Sequence, residues 1–581
     1  MKEKKISVAL AAMLAALPLT ACGGGNQGNG DLPVDPDTTT IINVLNYDCG
    51  YGKTYIEETK KAFEEAVKDV SYEPNKKGVY INIESFATGT TGQDVLNSLP
   101  TSTYDMFFSD GHTGEAMKRA EHAMDLTKFL KATSADETKV SEFVESKSIY
   151  DRMYPDFRDY VTASDEKIYS VPLFASTYNF TYDKDLVVEK GLYIRSDSTD
   201  TELKLTNDVT KGCLGVDGVK GTADDGLPET YAQFYLWLDE VYDAGCIPLH
   251  FQGGMLKSTF VNWWADFEGK DNVKACWSFD GTVMTDLIEE VDANGNVVKY
   301  HEPTEITFAN GPMVQKQEGR YRALEVMHYL ANSMKGSKKL MHTKCFTENH
   351  REAQGTYVMS KFDKQPIMLF AEGGYWEAEA SAVFSGLENK KSGKMDRNFA
   401  VLPVPRYNRE DVGGDDYRRT VPVTLGGDMF IRKEVENQAN YQAVIDFLMY
   451  FNTEAQMAVS NREASQPRPF EYSIEGVELS NYQKSLYNLM HDAKTDLVFK
   501  SANNDLVVAY PEQLNTSYYW GFYSRYKRGV SDDASYEATK IFYDYGVSVN
   551  DYFYGMYEYY TYKPNANTKS KWEQMLETVG L

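Results

Sequence analysis

Alternation of strand-like and helix-like stretches most constrains what this 581-residue chain can fold into. Ile41 to Tyr47 reads as a strand, followed by a turn at Gly50-Tyr51-Gly52. Thr54-x-x-Glu57 has the form of a capping box, and Ile56, Ala62, Phe63, Ala66 and Val67 recur behind it at helical spacing. Val79 to Phe86 returns to strand, with Val79, Ile81 and Ile83 on one face. Gly89 to Gly92 is a turn before a short helix, and Tyr104 to Phe108 is a buried strand ending in Ser109-Asp110-Gly111. Strand–helix–strand order implies parallel strands joined by crossover helices, hence an α/β lobe. In such sheets ligands sit beyond the carboxyl ends of the strands, which places Tyr47, the Gly50–Gly52 turn and Asp110 on one rim. Asp110 is therefore a candidate acceptor for ligand hydroxyls; capping the following turn is its competing structural role.

The amino terminus carries a different signal. Lys2, Lys4 and Lys5 precede an apolar run, Ile6 to Leu19, that is too short to span a bilayer as a stable helix. Leu19-Thr20-Ala21-Cys22, followed by three glycines, resembles a bacterial lipobox. The resemblance implies that residues 1–21 are a lipoprotein signal peptide, that Cys22 is lipidated, and that the chain sits on the extracytoplasmic face of the cell membrane. Residues 22–40 are Gly, Asn, Asp, Pro and Thr with few apolar side chains; they cannot offset their ordering entropy and read as a flexible tether. The membrane is thus engaged through the lipid alone. A net charge of −26 excludes a nucleic-acid partner, whose phosphates need a basic surface. Beyond Cys22 the cysteines are Cys49, Cys213, Cys246, Cys276 and Cys345, widely spaced and without a C-x-x-C pair, so mostly buried thiols are expected.

Four patches in order carry a family resemblance. Lys167-Ile168-Tyr169-Ser170-Val171-Pro172, then Tyr178 and Tyr182-Asp183-Lys184-Asp185-Leu186, resembles the stretch where solute-binding proteins cross between lobes, with Asp183 where the family usually has Asn. Gln365 to Leu369 and Glu372-Gly373-Gly374-Tyr375-Trp376-Glu377 resembles the family's glycine–tryptophan segment. Phe399 to Pro405 is similar to its return crossover strand, and Gly426-Gly427 precedes Ile431 and a helix from Gln438 to Phe451. The pattern is that of carbohydrate-binding lipoproteins of ABC importers, the maltose-binding-protein-like family. It implies an α/β, two-lobed periplasmic-binding-protein-like fold with multiple hinge crossovers. Lobe one would be residues 41–173 and 406–463, lobe two 174–405 and 464–581. The implied role is capture of a sugar between the lobes by a monomer and its delivery to permease subunits, with no catalysis and no required cofactor.

A pyranose has apolar C–H faces and a polar rim, so aromatic planes with nearby carboxylates are the expected contacts. Trp376 with Tyr375 is the first candidate platform, because the preceding glycines free the backbone to project it. Tyr178, one of the pair Trp263-Trp264 (Trp264), and Trp520 within Tyr518-Tyr519-Trp520 rank behind it. Arg468 reads as a structural turn residue, and the tyrosines from Tyr552 to Tyr562 read as helix packing. Asp217, Asp224 and Asp225 cluster among glycines and suit a structural calcium ion; a solvated acidic turn is the alternative. Asn294-Gly295 reads as a hairpin turn. The rival functions are a surface glycan-binding lipoprotein, a binding protein for peptide or another solute, and a glycoside hydrolase using a pair among Glu372, Glu377 and Glu379. No H-E-x-x-H, G-x-S-x-G or G-x-x-x-x-G-K-[ST] motif is present.

Overall fold

The computed structural model describes residues 32–47, 51–86, 92–390, 397–414, 417–510, 514, 523–524 and 536–581. The lipobox with Cys22, most of the tether, Cys49 and Trp520 lie outside these residues. Three sheets organise the chain. Their strands are β1 Thr40–Tyr47, β2 Val79–Phe86, β3 Met106–Ser109, β4 Val171–Pro172, β5 Ala175–Ser176 and β6 Tyr178–Asp183. They continue with β7 Ile247–Phe251, β8 Ile367–Gly373, β9 Phe399–Leu402, β10 Arg419–Leu425, β11 Asp428–Ile431 and β12 Thr495–Phe499.

The first sheet has the order β2-β1-β3-β11-β4, with β1 parallel to both its neighbours and β11 antiparallel to β3 and β4. Alternation in β1 is strict: Thr40, Ile42, Val44 and Asn46 are buried and the residues between them half-buried. The helix Thr54–Ala66 follows as expected, but Thr54 does not cap it. The N-cap is Lys53, without a side-chain cap bond, and Glu57 instead pairs with the Lys53 ammonium at 2.9 Å.

The second sheet, β9-β6-β8-β7, is mixed: β8 runs parallel to β7 and antiparallel to β6. The helices Tyr231–Asp243, Met255–Glu268 and Glu318–Ser333 bury one of its faces in a core that contains Phe180, Leu249 and Leu369. On the other face, Tyr357, Phe370 and Phe399 belong to a core that runs on into the first sheet. The carboxyl-terminal helices pack on Glu318–Ser333; Tyr552 and Tyr560 are buried there as expected, whereas Tyr562 is exposed. The Asn294-Gly295 hairpin forms between Ile288–Val291 and Val297–Tyr300, with Gly295 at φ +86°.

The third sheet, β12-β10-β5, joins the other two. Two residues separate β4 from β5 and one separates β5 from β6, so this short run leaves the first sheet and enters the second. β10 lies antiparallel to β5 and passes through Gly426-Gly427 into β11. Gly427 has φ +91°, and a Cβ there would stand 2.8 Å from the Ser109 carbonyl oxygen. The return crossing is therefore at residues 425–428, not at Phe399–Pro405. β9 pairs with β6 from Phe399↔Asp183 to Leu402↔Phe180, and Arg406 still bridges Thr230, so the chain remains with the second sheet there. The expected boundary at residue 464 shifts as well. Ala175 N–H donates to the Pro467 carbonyl and Tyr154 N–H to that of Pro469 before the helix Asn481–His491 reaches β9. Among the described residues no helix is long and apolar enough to cross a membrane.

Candidate functional site

The ends of strands from all three sheets meet at one place. Tyr51 follows β1, Tyr178 opens β6, Tyr375 follows β8 and Lys500 follows β12. Tyr375 stands edge-on to Tyr51, with ring centroids 5.9 Å apart, and edge-on to Tyr178 at 6.4 Å. Tyr51 also packs on Phe174 at 4.9 Å, and its hydroxyl is hydrogen-bonded to Ser176 Oγ at 2.9 Å. Gly426 makes this approach possible: a Cβ there would lie 2.5 Å from the Tyr51 hydroxyl and 2.6 Å from Ser176 Oγ. All three tyrosines are half-buried, each an apolar ring with a polar tip. Burial first, then the neighbouring Tyr178 and Glu372, pushes the Tyr375 phenol well above its ordinary value, which keeps it a neutral donor and acceptor.

Charge borders Tyr178 at Lys500. The Lys500 ammonium is 5.2 Å from the Tyr178 ring centroid, and burial pushes it down to about 7. On the first lobe Asp110 is half-buried. Burial raises its carboxyl, His112 opposes that rise and Asp428 adds to it. His112 is itself clamped by Asp428, with Nδ1 3.0 Å from a carboxylate oxygen and the backbone N–H donating at 3.1 Å. Asp110 does not cap the next helix; Thr113 does, its hydroxyl accepting from Ala116 N–H at 3.0 Å. The phenol oxygens at this junction can accept from a polyhydroxylated ligand while the rings cover its apolar faces.

The tryptophans expected in the cleft are elsewhere. Trp376 is fully buried on the opposite face of the second sheet, among Phe399 at 5.2 Å, Tyr482 at 5.5 Å, Phe370 at 5.8 Å and Tyr357 at 5.9 Å. It opens the one-turn helix Trp376–Glu379, and successive residues on a helix point apart, so Tyr375 alone joins the other two tyrosines. Trp264 is likewise fully buried, its indole N–H donating to Gln317 Oε1 at 2.7 Å, while Trp263 packs with Phe180, Tyr231, Phe234 and Phe260. Arg468 has the structural role expected of it: fully buried, it donates to the Pro172 carbonyl at 3.1 Å and to Asn452 Oδ1 at 2.7 Å.

The acidic loop spends its carboxylates on itself. Asp217 accepts from Val219 N–H at 2.8 Å, Asp224 from Thr222 Oγ1 at 2.7 Å and from Asp217 N–H at 3.2 Å, and Asp225 from Gly221 N–H at 2.7 Å. This is turn chemistry, and the three side chains do not form a cation-sized cluster among the described residues. Asp217 and Asp224 instead border a mixed cavity of about 520 Å³ that Asn179, Asn262, Arg419, Leu402 and Val421 also line. Of Glu372, Glu377 and Glu379, the first is buried next to Tyr375, and burial pushes its carboxyl up to about 8. Gln354 donates to Glu379 at 2.7 Å and Ser480 to Glu377 at 2.8 Å, both from helices on the outer side of the second sheet. Sequence reasoning placed the Tyr51 turn on the rim without selecting the residue, and it missed Lys500 and His112, which no local motif marks.

No protein-family model matches the chain, and no curated protein does. Solved structures do match. The GacH receptor of Streptomyces glaucescens GLA.O superposes at a TM-score of 0.50 with 13% identity, covering 90% of this chain and 97% of its own. The bacterial solute receptor AcbH (TM-score 0.48, 12% identity, 94% and 98% covered) and maltose-bound T. maritima MalE3 (0.48, 14%, 90% and 98%) also align. At such identities the likeness to the GacH receptor speaks to the fold alone, and together with the three sheets it establishes the two-lobed α/β architecture with several crossings.

Proposed function

We propose that this chain is a solute-binding component of an importer that captures a sugar or oligosaccharide between its lobes. The observation that carries the reading is the set Tyr51, Tyr178 and Tyr375, drawn from both lobes onto one spot beside Lys500. Closure then brings the two halves of a sugar site together, and ligand stabilises the closed form by its differential affinity. Release to membrane permease subunits follows, with Cys22 as the lipid anchor holding the protein at the extracytoplasmic face of the membrane. The role is binding rather than catalysis, with the Glu377 and Glu379 carboxylates engaged by Ser480 and Gln354.

A thermal-shift screen against mono- and oligosaccharides, amino acids and short peptides tests this, because a ligand selective for the folded state raises its melting temperature. A shift with one sugar series is expected; shifts with peptides only, or sugar consumed in a parallel assay, would replace the proposal. The anchor has its own test. Cys22→Ser should release the protein from the membrane fraction into the soluble one, and unchanged partitioning would remove the lipid from the account.

A further inference from the structure

A second chemically distinct cluster lies on the edge strand of the second sheet. His250 of β7 is wholly buried and in register with Phe370 of β8. The segment after the helix Glu318–Ser333 returns along the free side of β7: Met341 bridges Leu249, and His342 N–H donates to the Leu249 carbonyl at 2.8 Å. That backbone pairing lays the half-buried His342 ring beside His250, with centroids 4.7 Å apart at 74°. Glu348 comes from the same segment, fixed just ahead of the helix His350–Met359 by the capping box of Asn349 and Glu352. One ligand atom from each of His250, His342 and Glu348 lies within 4.8 Å of the other two.

The details of this contact differ from an ordinary histidine–glutamate pair. Glu348 Oε1 already accepts from the Lys344 ammonium and from Thr356 Oγ1, each at 2.9 Å. Its other oxygen, Oε2, is buried and sits 3.1 Å from His250 Nε2, yet neither atom makes a hydrogen bond, because the geometry is misaligned for N–H···O. Behind the ring, His250 Nδ1 is 3.5 Å from the Cys345 sulfur. Two buried, unsatisfied polar atoms facing each other cost free energy unless something occupies the space in front of both. A separation near 3 Å is also about the edge of a tetrahedron whose metal–ligand bonds are near 2 Å.

We infer that His250, His342 and Glu348 form a binding site for a borderline divalent transition metal, with Zn²⁺ the best fit to two imidazoles and one carboxylate. Cys345 is a positioning residue: its contact with Nδ1 fixes the ring so that Nε2 faces the ion, as outer partners of ligating histidines do. The half-buried His342 side leaves a fourth position to water. The ion would tie the segment of residues 341–349 to β7 and so lock this edge of the second lobe. None of the tyrosines takes part, so sugar capture and metal binding are separable.

The test is a calorimetric titration of the purified full-length chain with Zn²⁺ after exhaustive chelation. One equivalent should bind, the melting temperature should rise with the metal and fall back with chelator, and Ca²⁺ should not compete. His342→Ala and Glu348→Gln should each weaken binding by about tenfold or more. Both variants are expected to match the metal-free parent in melting temperature, which separates lost ligation from lost folding. Anomalous scattering at the zinc edge should place the ion between the three side chains. Absence of binding, or an affinity unchanged by both substitutions, as from scattered surface carboxylates, would overturn the inference.

Discussion

Tyr375 and Trp376 are consecutive in the chain and belong to opposite sides of the second sheet. Tyr375 meets Tyr51 of the other lobe, half-buried at a junction that also holds Tyr178 with Lys500 beside it. Trp376 is sealed among four aromatic rings in a core that continues into the first lobe. The first region is built from side chains with a polar tip and the second from rings packed edge to face. A site needs groups that remain useful when wet, while a core needs area, so the larger aromatic residue is the poorer guide to the ligand.

The contrast can be broken most sharply by truncating both members. Trp376→Ala should cost about 3–5 kcal/mol of stability, seen as a lower midpoint in chemical denaturation, with sugar affinity of the folded fraction little changed. Arg468→Ala tests the same core nearer the crossings. It strands the Pro172 carbonyl and Asn452, and about 1.5–3 kcal/mol should be lost for each of these charge-assisted bonds by the same measurement. Tyr375→Ala should do the reverse. Burying one aromatic face is worth about 1.5–3 kcal/mol, so sugar binding by calorimetry should weaken by tenfold or more, with a small change in melting temperature. If Trp376→Ala abolished binding in a protein of normal stability, the two regions would have to exchange roles.

Lys500 sharpens the comparison through pH. Its folded value is pushed down to about 7 by burial, below the roughly 10.4 of a free lysine. Below about 7 the ammonium is present in both folded and unfolded chains, and its burial cost is fully felt. Between there and about 10.4 the unfolded chain binds more protons, so stability should rise with pH, by at most about 1.4 kcal/mol per pH unit. Lys500→Met should flatten that rise in denaturation measured from pH 7 to 10. An unchanged slope would mean that other groups set it.

What was legible in the sequence was local. β1 and β2 announced themselves by period-two burial, and Asn294-Gly295 by the positive φ its turn requires. The first crossing at Val171–Tyr178 and the glycine pair before β11 were also readable, because short strands and Gly-Gly leave a local trace. The return crossing was misplaced because Phe399–Pro405 looks the same whichever strand it pairs with, and its partner β6 is more than two hundred residues upstream. Thr54 failed as a cap because the helix starts one residue earlier, the Lys53 carbonyl accepting from Glu57 N–H at 3.0 Å. The aspartates of residues 217–225 resemble a cation loop in composition, but each accepts from a neighbouring N–H or hydroxyl group and the three do not converge. The candidate site was the least legible part. Tyr51 and Tyr375 touch across more than three hundred residues, and only the fold brings Lys500 to Tyr178.

The pairing of β5 with β10 has a mechanical consequence. Ser176 and Ala175 are in register with Thr424 and Leu425, so the outgoing and returning strands form one hydrogen-bonded ribbon. Neither strand can bend alone without breaking bonds to the other. Such a ribbon couples the two strands at this crossing, so bending one displaces the other. A side chain added at Gly426 would press on Tyr51 and Ser176 together, on the candidate site and on the ribbon in one stroke.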